Sequence, residues 1–242
     1  MPVWTRSLIF TGFGVILGLC LIFSPPVRQI AGIRPVFAAE EERPPVIVID
    51  PGHGGEDGGA VSPEGIEESG INLAVSQKIR DLLIFMGIET VMTRTEDISI
   101  GDMSLNTVKK RKASDIRKRV EIVNEIENAI LISIHQNSLP ESPVTHGAQV
   151  FWNAQGENLA DLIQDALNQK INAGNVKKSR RIDSGIYLMS HANAPAALVE
   201  CGFLSNFAET MKLKETNYQK EIALAVTAGI LNYINYISIK ES

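Results

Sequence analysis

The stretch VIVIDPGHGGEDGGA, residues 46–60, decides how the rest of the chain reads. Four β-branched residues run into an acid, a proline and a glycine, the pattern of a short buried strand that ends at a turn. His53 then stands among Gly52, Gly54, Gly55, Gly58 and Gly59. Glycine lets backbone approach a ligand closely and adopt positive φ. An imidazole on so bare a loop therefore reads as part of a site.

Outward from this strand, helical and extended patterns alternate. Ile71, Val75, Ile79, Leu82, Leu83 and Met86 recur at helical spacing, Gly87 ends that helix, and IETVMT (88–93) is the next strand. SDIRKRVEIVNEIE (114–127) reads as a helix with Ser114 or Asp115 as its N-cap. AILISIH (129–135) is a buried strand and AQVFW (148–152) a fourth. ENLADLIQDALNQKI (157–171) is an amphipathic helix, GIYLM (185–189) and AALVECG (196–202) are strands, and residues 217–237 form a closing helix. The fold class expected is α/β: a mostly parallel twisted sheet with helices on both faces. It forms one catalytic domain over residues 45–239.

Residues 1–44 stand apart. SLIFTGFGVILGLCLIFS (7–24) has no charge and follows Arg6, so it reads as a signal peptide or a retained membrane anchor. AAEEERPP (38–45) is a polar linker. Export to the cell envelope follows as an expectation, anchored or secreted. The net charge of −5 hides an asymmetry, because residues 1–39 hold three arginines and no acid, leaving 20 basic against 28 acidic residues in the remainder. That balance argues against a nucleic-acid partner, which calls for a broadly basic face. Cys20 and Cys201 lie in separate apolar runs, and a disulfide between them is not expected.

In open parallel sheets ligands sit beyond the carboxyl ends of the strands. His53, His135 and Glu200 come from that end of three strands, and Glu67 and Glu68 immediately precede the first helix pattern. Two histidines and a carboxylate, with a further carboxylate nearby, make the ligand set of a hydrolytic zinc site. Other readings compete. A phosphate cradle lacks the GK[ST] signature and carries repelling acids. An oxyanion-hole loop would need a G-x-S-x-G elbow, which is missing downstream. His135 alone could be a satisfied buried histidine.

VIDPGHGGEDGGA, EESGINLAVSQKI, VMTR, IRKRVEIVN, LISIHQNS and ALVECGFLSN, in this order, resemble the zinc-dependent N-acetylmuramoyl-L-alanine amidases of the bacterial cell wall. The resemblance spans about Val46 to Ile237. It implies a Zn²⁺ cofactor held by His53, Glu68 and His135, with Glu200 as the catalytic base. Glu68 is chosen over Glu67 because it stands four residues before Asn72, as in that family's pattern. Arg119 and Asn124 match its helix block, and Arg119 and Asn137 are placed on the substrate side. The reaction implied is hydrolysis of the amide between muramic acid and L-alanine of peptidoglycan.

Three features modify that expectation. ESG (68–70) stands where the family often has EKD, and Gln136 stands where alanine is common, which is expected to narrow the cleft. Gly101 to Arg119 reads as a long, solvated, mobile loop; its Lys109, Lys110, Arg111 and Lys112 offer, as the sharper alternative, contact with anionic wall peptide or a protein partner. An anchored, repeat-free chain with such a basic insertion most resembles the CwlD type of spore-forming bacteria. That resemblance implies work on spore-cortex peptidoglycan ahead of muramic δ-lactam formation, in the space between forespore and mother cell, and leaves room for a protein activator. The rivals are another envelope zinc hydrolase, a carboxypeptidase or deacetylase, or a partner-dependent wall-binding protein. His146 and His191 match no ligand block and read as surface or substrate-side residues.

Overall fold

In a computed structural model the described residues are 44–182 and 185–241. Of the leader and linker expected over residues 1–44, residues 1–43 lie outside them, Cys20 included.

The elements follow in order as β1 (Val46–Pro51), α1 (Glu68–Phe85), β2 (Thr90–Met92), α2 (Val108–Glu125), β3 (Ala129–Asn137), β4 (Gln149–Trp152), α3 (Glu157–Lys170), β5 (Arg180–Arg181), α4 (Tyr187–His191), β6 (Ala196–Phe203), α5 (Phe207–Leu213) and α6 (Thr216–Glu241). One six-stranded sheet has the order β2-β1-β3-β6-β4-β5. β1 runs parallel to β2 and to β3, β3 parallel to β6, and β4 parallel to β5; only β4 against β6 is antiparallel. The mostly parallel sheet expected from the alternating pattern is therefore present, and β1, β3 and β6 deliver their carboxyl ends side by side.

Side-chain alternation explains why both faces are covered. Ile47, Ile49, Ile130, Ile132, Ile134 and Val199 point to one face, where Val75, Ile79 and Leu83 of α1, Ile163 and Leu167 of α3, and Ile222, Val226 and Ile230 of α6 bury them. Val48, Leu131 and Leu198 point to the other face and meet Val123 of α2 with Leu188 and Met189 of α4. Each fully buried aliphatic side chain contributes about 1.5–3 kcal/mol from apolar area alone. α6 is long and apolar enough to cross a membrane by length and composition. Its Ile222, Ala223, Val226 and Ile230 are instead spent on the core.

Three local expectations are corrected. GIYLM is not a strand: its last three residues open the short helix α4, which turns Leu188 and Met189 together into the second core. α2 begins at Val108 with Thr107 as N-cap, its side chain accepting from Lys110 N, rather than at Ser114 or Asp115. Ser114 Oγ accepts from Asp102 N at 2.9 Å and Asp115 Oδ1 from Ile100 N at 2.7 Å, so both cap-like side chains serve a loop distant in sequence. The basic residues 109–112 consequently lie in the first turns of a helix, not in a mobile loop. Residues 207–213 add a helix, α5, that the apolar pattern did not reveal.

Candidate metal centre

The loop after β1 turns back to start α1. Glu68 N donates to Ala60 O at 2.9 Å and Ser69 N to Gly58 O at 3.0 Å. Glu67, at the N-cap, makes no side-chain cap. Loop carbonyls thus satisfy the first orphan amides of the helix. The same contacts press the loop that carries His53 onto the carboxylate of Glu68.

The glycines are required by contacts. A Cβ on Gly52 would lie 2.2 Å from His135 Cε1. On Gly59, whose φ is +71°, it would lie 2.5 Å from Glu68 Oε2 and 2.8 Å from His53 Cδ2. His53 itself has φ 62°, unusual for a residue with a side chain. Its carbonyl accepts from Arg119 Nη2 at 2.7 Å, which holds the turn.

His53, Glu68 and His135 converge so that one donor atom from each lies within 4.8 Å of the others. His135 Nδ1 is 2.9 Å from Glu68 Oε1, and His53 Nε2 is 3.4 Å from Glu68 Oε2. The imidazoles meet edge to face, with centroids 5.1 Å apart. Glu68 is buried. Burial pushes its carboxyl up, but the hydrogen bond and charge of His135, with His53 and the Ala60 amide, bring it down to about 2. Burial pushes His135 down, and the carboxylates of Glu68, Glu200 and Asp50 reverse this to a net rise.

Glu200 is the register partner of His135 across the β3–β6 pair. Burial drives its carboxyl up to about 7, against the opposing charge of His135. Its Oε2 is buried and has no hydrogen-bond partner among the described residues. A buried carboxylate oxygen without a partner is costly, and here it stands beside two histidines and a carboxylate that face one another. Two imidazoles and a carboxylate within reach of one ion fit a zinc-type donor set. A cleft of about 370 Å³ opens over the group, lined by His53, His135, Glu200, Asp57, Ile116 and Met189 among others.

Supporting residues lie behind the cluster. Asn72 Nδ2 donates to Glu68 Oε1 at 3.1 Å and to Gly52 O at 3.1 Å. Gln136 Nε2 donates to Asn72 Oδ1 at 3.1 Å. Gln136 is buried, so it braces Glu68 from beneath and does not narrow the cleft. Arg119 is 1% exposed and directs its guanidinium to Asp50, Asp115 and the carbonyls of Pro51 and His53. It supports the site and is itself among the residues that line the cleft. Asn137, half-buried at the end of β3, turns its Oδ1 onto Ser138 N at 2.8 Å. Asn124 ties the turn after α4, donating to His191 O and accepting from Asn193 N. His146 and His191 are exposed and take no part in the cluster. Asp57 is the residue that sequence reasoning missed: its Oδ2 lies 3.0 Å from His53 Nδ1. An acid four residues after a loop histidine was the available signal.

Two histidines and two carboxylates at the carboxyl edge of a parallel sheet are the equipment of a metal-dependent hydrolase. The family model for N-acetylmuramoyl-L-alanine amidases matches residues 47–232, and the chain belongs to that family. It is 40% identical over 191 residues to the germination-specific N-acetylmuramoyl-L-alanine amidase of Bacillus subtilis (strain 168), covering 78% of this chain and 79% of that one. Among solved structures it resembles the CwlD amidase from Clostridioides difficile in complex with the GerS lipoprotein, with TM-score 0.76 and 32% identity over 79% of this chain and 99% of that one. It also resembles the amidase AmiC2 of Nostoc punctiforme, with TM-score 0.66 and 28% identity over 79% and 97% of the two chains. The chain is thus an amidase of peptidoglycan, hydrolysing the amide between N-acetylmuramic acid and L-alanine, and an exported envelope protein.

Proposed function

We propose that the chain is a zinc amidase of spore-cortex peptidoglycan, in which His53, Glu68 and His135 hold the metal and Glu200 is the catalytic base. The observation that carries the site assignment is the unpartnered, buried Oε2 of Glu200 next to three facing donor groups. When bound, zinc supplies Lewis acidity, lowering the pKa of a water to about 7 and polarising a carbonyl. Glu200 then takes the proton of the attacking water and returns a proton to the departing L-alanine nitrogen. Its place on the cleft lining, as register partner of His135, suits both halves of that exchange. Asn72 and Gln136 keep Glu68 oriented while the proton moves.

The cortex assignment is supported by the 40% identity to a germination-specific amidase and by the likeness to the CwlD amidase. The latter's complex with a lipoprotein supports a protein partner for this chain too. We place the enzyme at the membrane surface between forespore and mother cell, held by residues 7–24. The test is genetic and chemical. Deletion in the source bacterium, complemented with wild type or Glu200→Ala, is followed by cortex muropeptide analysis. Muramic δ-lactam restored by wild type and not by the variant is expected. Normal δ-lactam in the deletion strain would contradict the cortex role.

A further inference from the structure

The basic start of α2 has no role in the chemistry above, yet two of its residues, Arg111 and Lys112, reach the loop that carries His53. Arg111 grips Glu56 with Nε on Oε1 at 2.6 Å and Nη2 on Oε2 at 2.7 Å. Lys112 Nζ donates to Asp57 Oδ1 at 2.6 Å. The other oxygen of Asp57 faces His53 Nδ1 at 3.0 Å, and His53 Nε2 faces Glu68. A chain of polar contacts therefore runs from α2 through Asp57 to the nitrogen of His53 that points away from the cluster.

His53 needs such a tether. Its backbone is in the left-handed region, and its loop neighbours Gly52, Gly54 and Gly55 have no side chains to wedge the ring. A carboxylate accepting from Nδ1–H fixes the tautomer, holds the ring plane and makes Nε2 a better donor to a metal. The second oxygen of Asp57, Oδ1, accepts from Lys112 Nζ at 2.6 Å and, over a longer 3.3 Å, from the Gly59 amide, so Lys112 makes the closer of the two contacts that hold it.

We propose that Asp57 is a positioning residue for His53, and that Lys112 holds Asp57 in place, so that the start of α2 sets the affinity of the site for its metal. This rests on the reading of His53, Glu68 and His135 as ligands. Lys112 is exposed and Asp57 half-buried, and an ion pair with an exposed lysine adds little to fold stability. The effect of losing Lys112 therefore falls on metal binding more than on folding, whereas losing Asp57 also removes its contacts to His53 and Gly59.

The test measures zinc affinity by competition with a chromophoric chelator, on the full chain in detergent. Wild type is compared with Asp57→Ala, Lys112→Met, Lys112→Arg and His53→Ala. Unfolding temperatures of the metal-stripped proteins are recorded alongside. Asp57→Ala is expected to weaken zinc binding about 10- to 100-fold, the range for lost outer partners of a ligating histidine. Lys112→Met weakens it in the same direction, Lys112→Arg restores it, and the stripped Lys112 variants unfold with stripped wild type. Wild-type affinity in Asp57→Ala and Lys112→Met, with zinc lost in His53→Ala, overturns the proposal and leaves the ligand set standing. Wild-type affinity in His53→Ala overturns the ligand set, and the proposal with it.

Discussion

Arg119, a buried residue of α2 in the lining of the cleft, donates from Nη2 to the carbonyl of His53 at 2.7 Å. One side chain thus supports both the fold and the left-handed turn that presents the histidine. Its Nη1 also meets Asp50 Oδ1 at 2.7 Å, and both groups are almost fully buried. Removing one partner of such a pair strands the other charge, at a cost of about 3–5 kcal/mol. Arg119→Ala is expected to lower stability by that order in urea unfolding. Arg119→Lys keeps the charge without the fork, and is expected to fall between. An Arg119→Ala protein as stable as wild type would contradict this role.

Asp50 gives the acid limb its sign. Burial pushes its carboxyl up, but the Arg119 charge with hydrogen bonds from Ser133 and Thr93 brings it below its ordinary 3.8. Above pH 3.8 both folded and unfolded states carry the charge, and its stabilisation is complete. As the pH falls below that value the unfolded chain takes up the proton first, so stability is lost until the native carboxyl is also protonated. Asp50→Asn is expected to be less stable at neutral pH and to show a shallower acid limb in unfolding between pH 6 and pH 2.

Glu200 acts with the opposite sign. Its native value is raised from 4.5 to about 7 by burial. In metal-stripped protein the unfolded chain therefore ionises first as pH rises, and stability falls across the window from 4.5 to 7. Glu200→Gln removes that loss. The stripped variant is expected to be more stable than stripped wild type at pH 8, with the difference vanishing below pH 4.5. Equal stability at pH 8 would mean the carboxylate is better solvated than its buried Oε2 indicates.

Gly59 tests the closeness of loop and ligand. Alanine there must hold φ +71° and push a methyl into Glu68 Oε2. Strain of this kind costs on the order of 1–3 kcal/mol. The larger consequence is displacement of Glu68 and His53. Gly59→Ala is expected to fold, with a modest drop in unfolding temperature, and to bind zinc markedly less well by the chelator assay.

What was legible in the sequence was set by how strongly local pattern constrains structure. VIVID, AILISIH and AALVECG are near-continuous apolar runs, which only strands buried on both faces require, and they lie where expected. That register brings His53, His135 and Glu200 to one end of the sheet. The short pieces were ambiguous. GIYLM has strand-like composition, yet Leu188 and Met189 pack together from a single helical turn. Ser114 and Asp115 look like caps but are acceptors for residues 100–102, a tertiary choice no local pattern encodes. The tether from Lys112 through Asp57 to His53 spans 55 residues between its lysine and its acid, beyond the reach of motif reading.

The most direct measurement is product analysis. Zinc-loaded full chain is incubated with defined peptidoglycan and the fragments are read by mass spectrometry, beside Glu200→Gln carrying the same measured zinc. Peptides with a free L-alanine amine are expected from wild type, and from the variant a rate lower by about 10²–10⁴-fold, the usual contribution of a general base. Wild-type turnover in zinc-loaded Glu200→Gln would contradict that role.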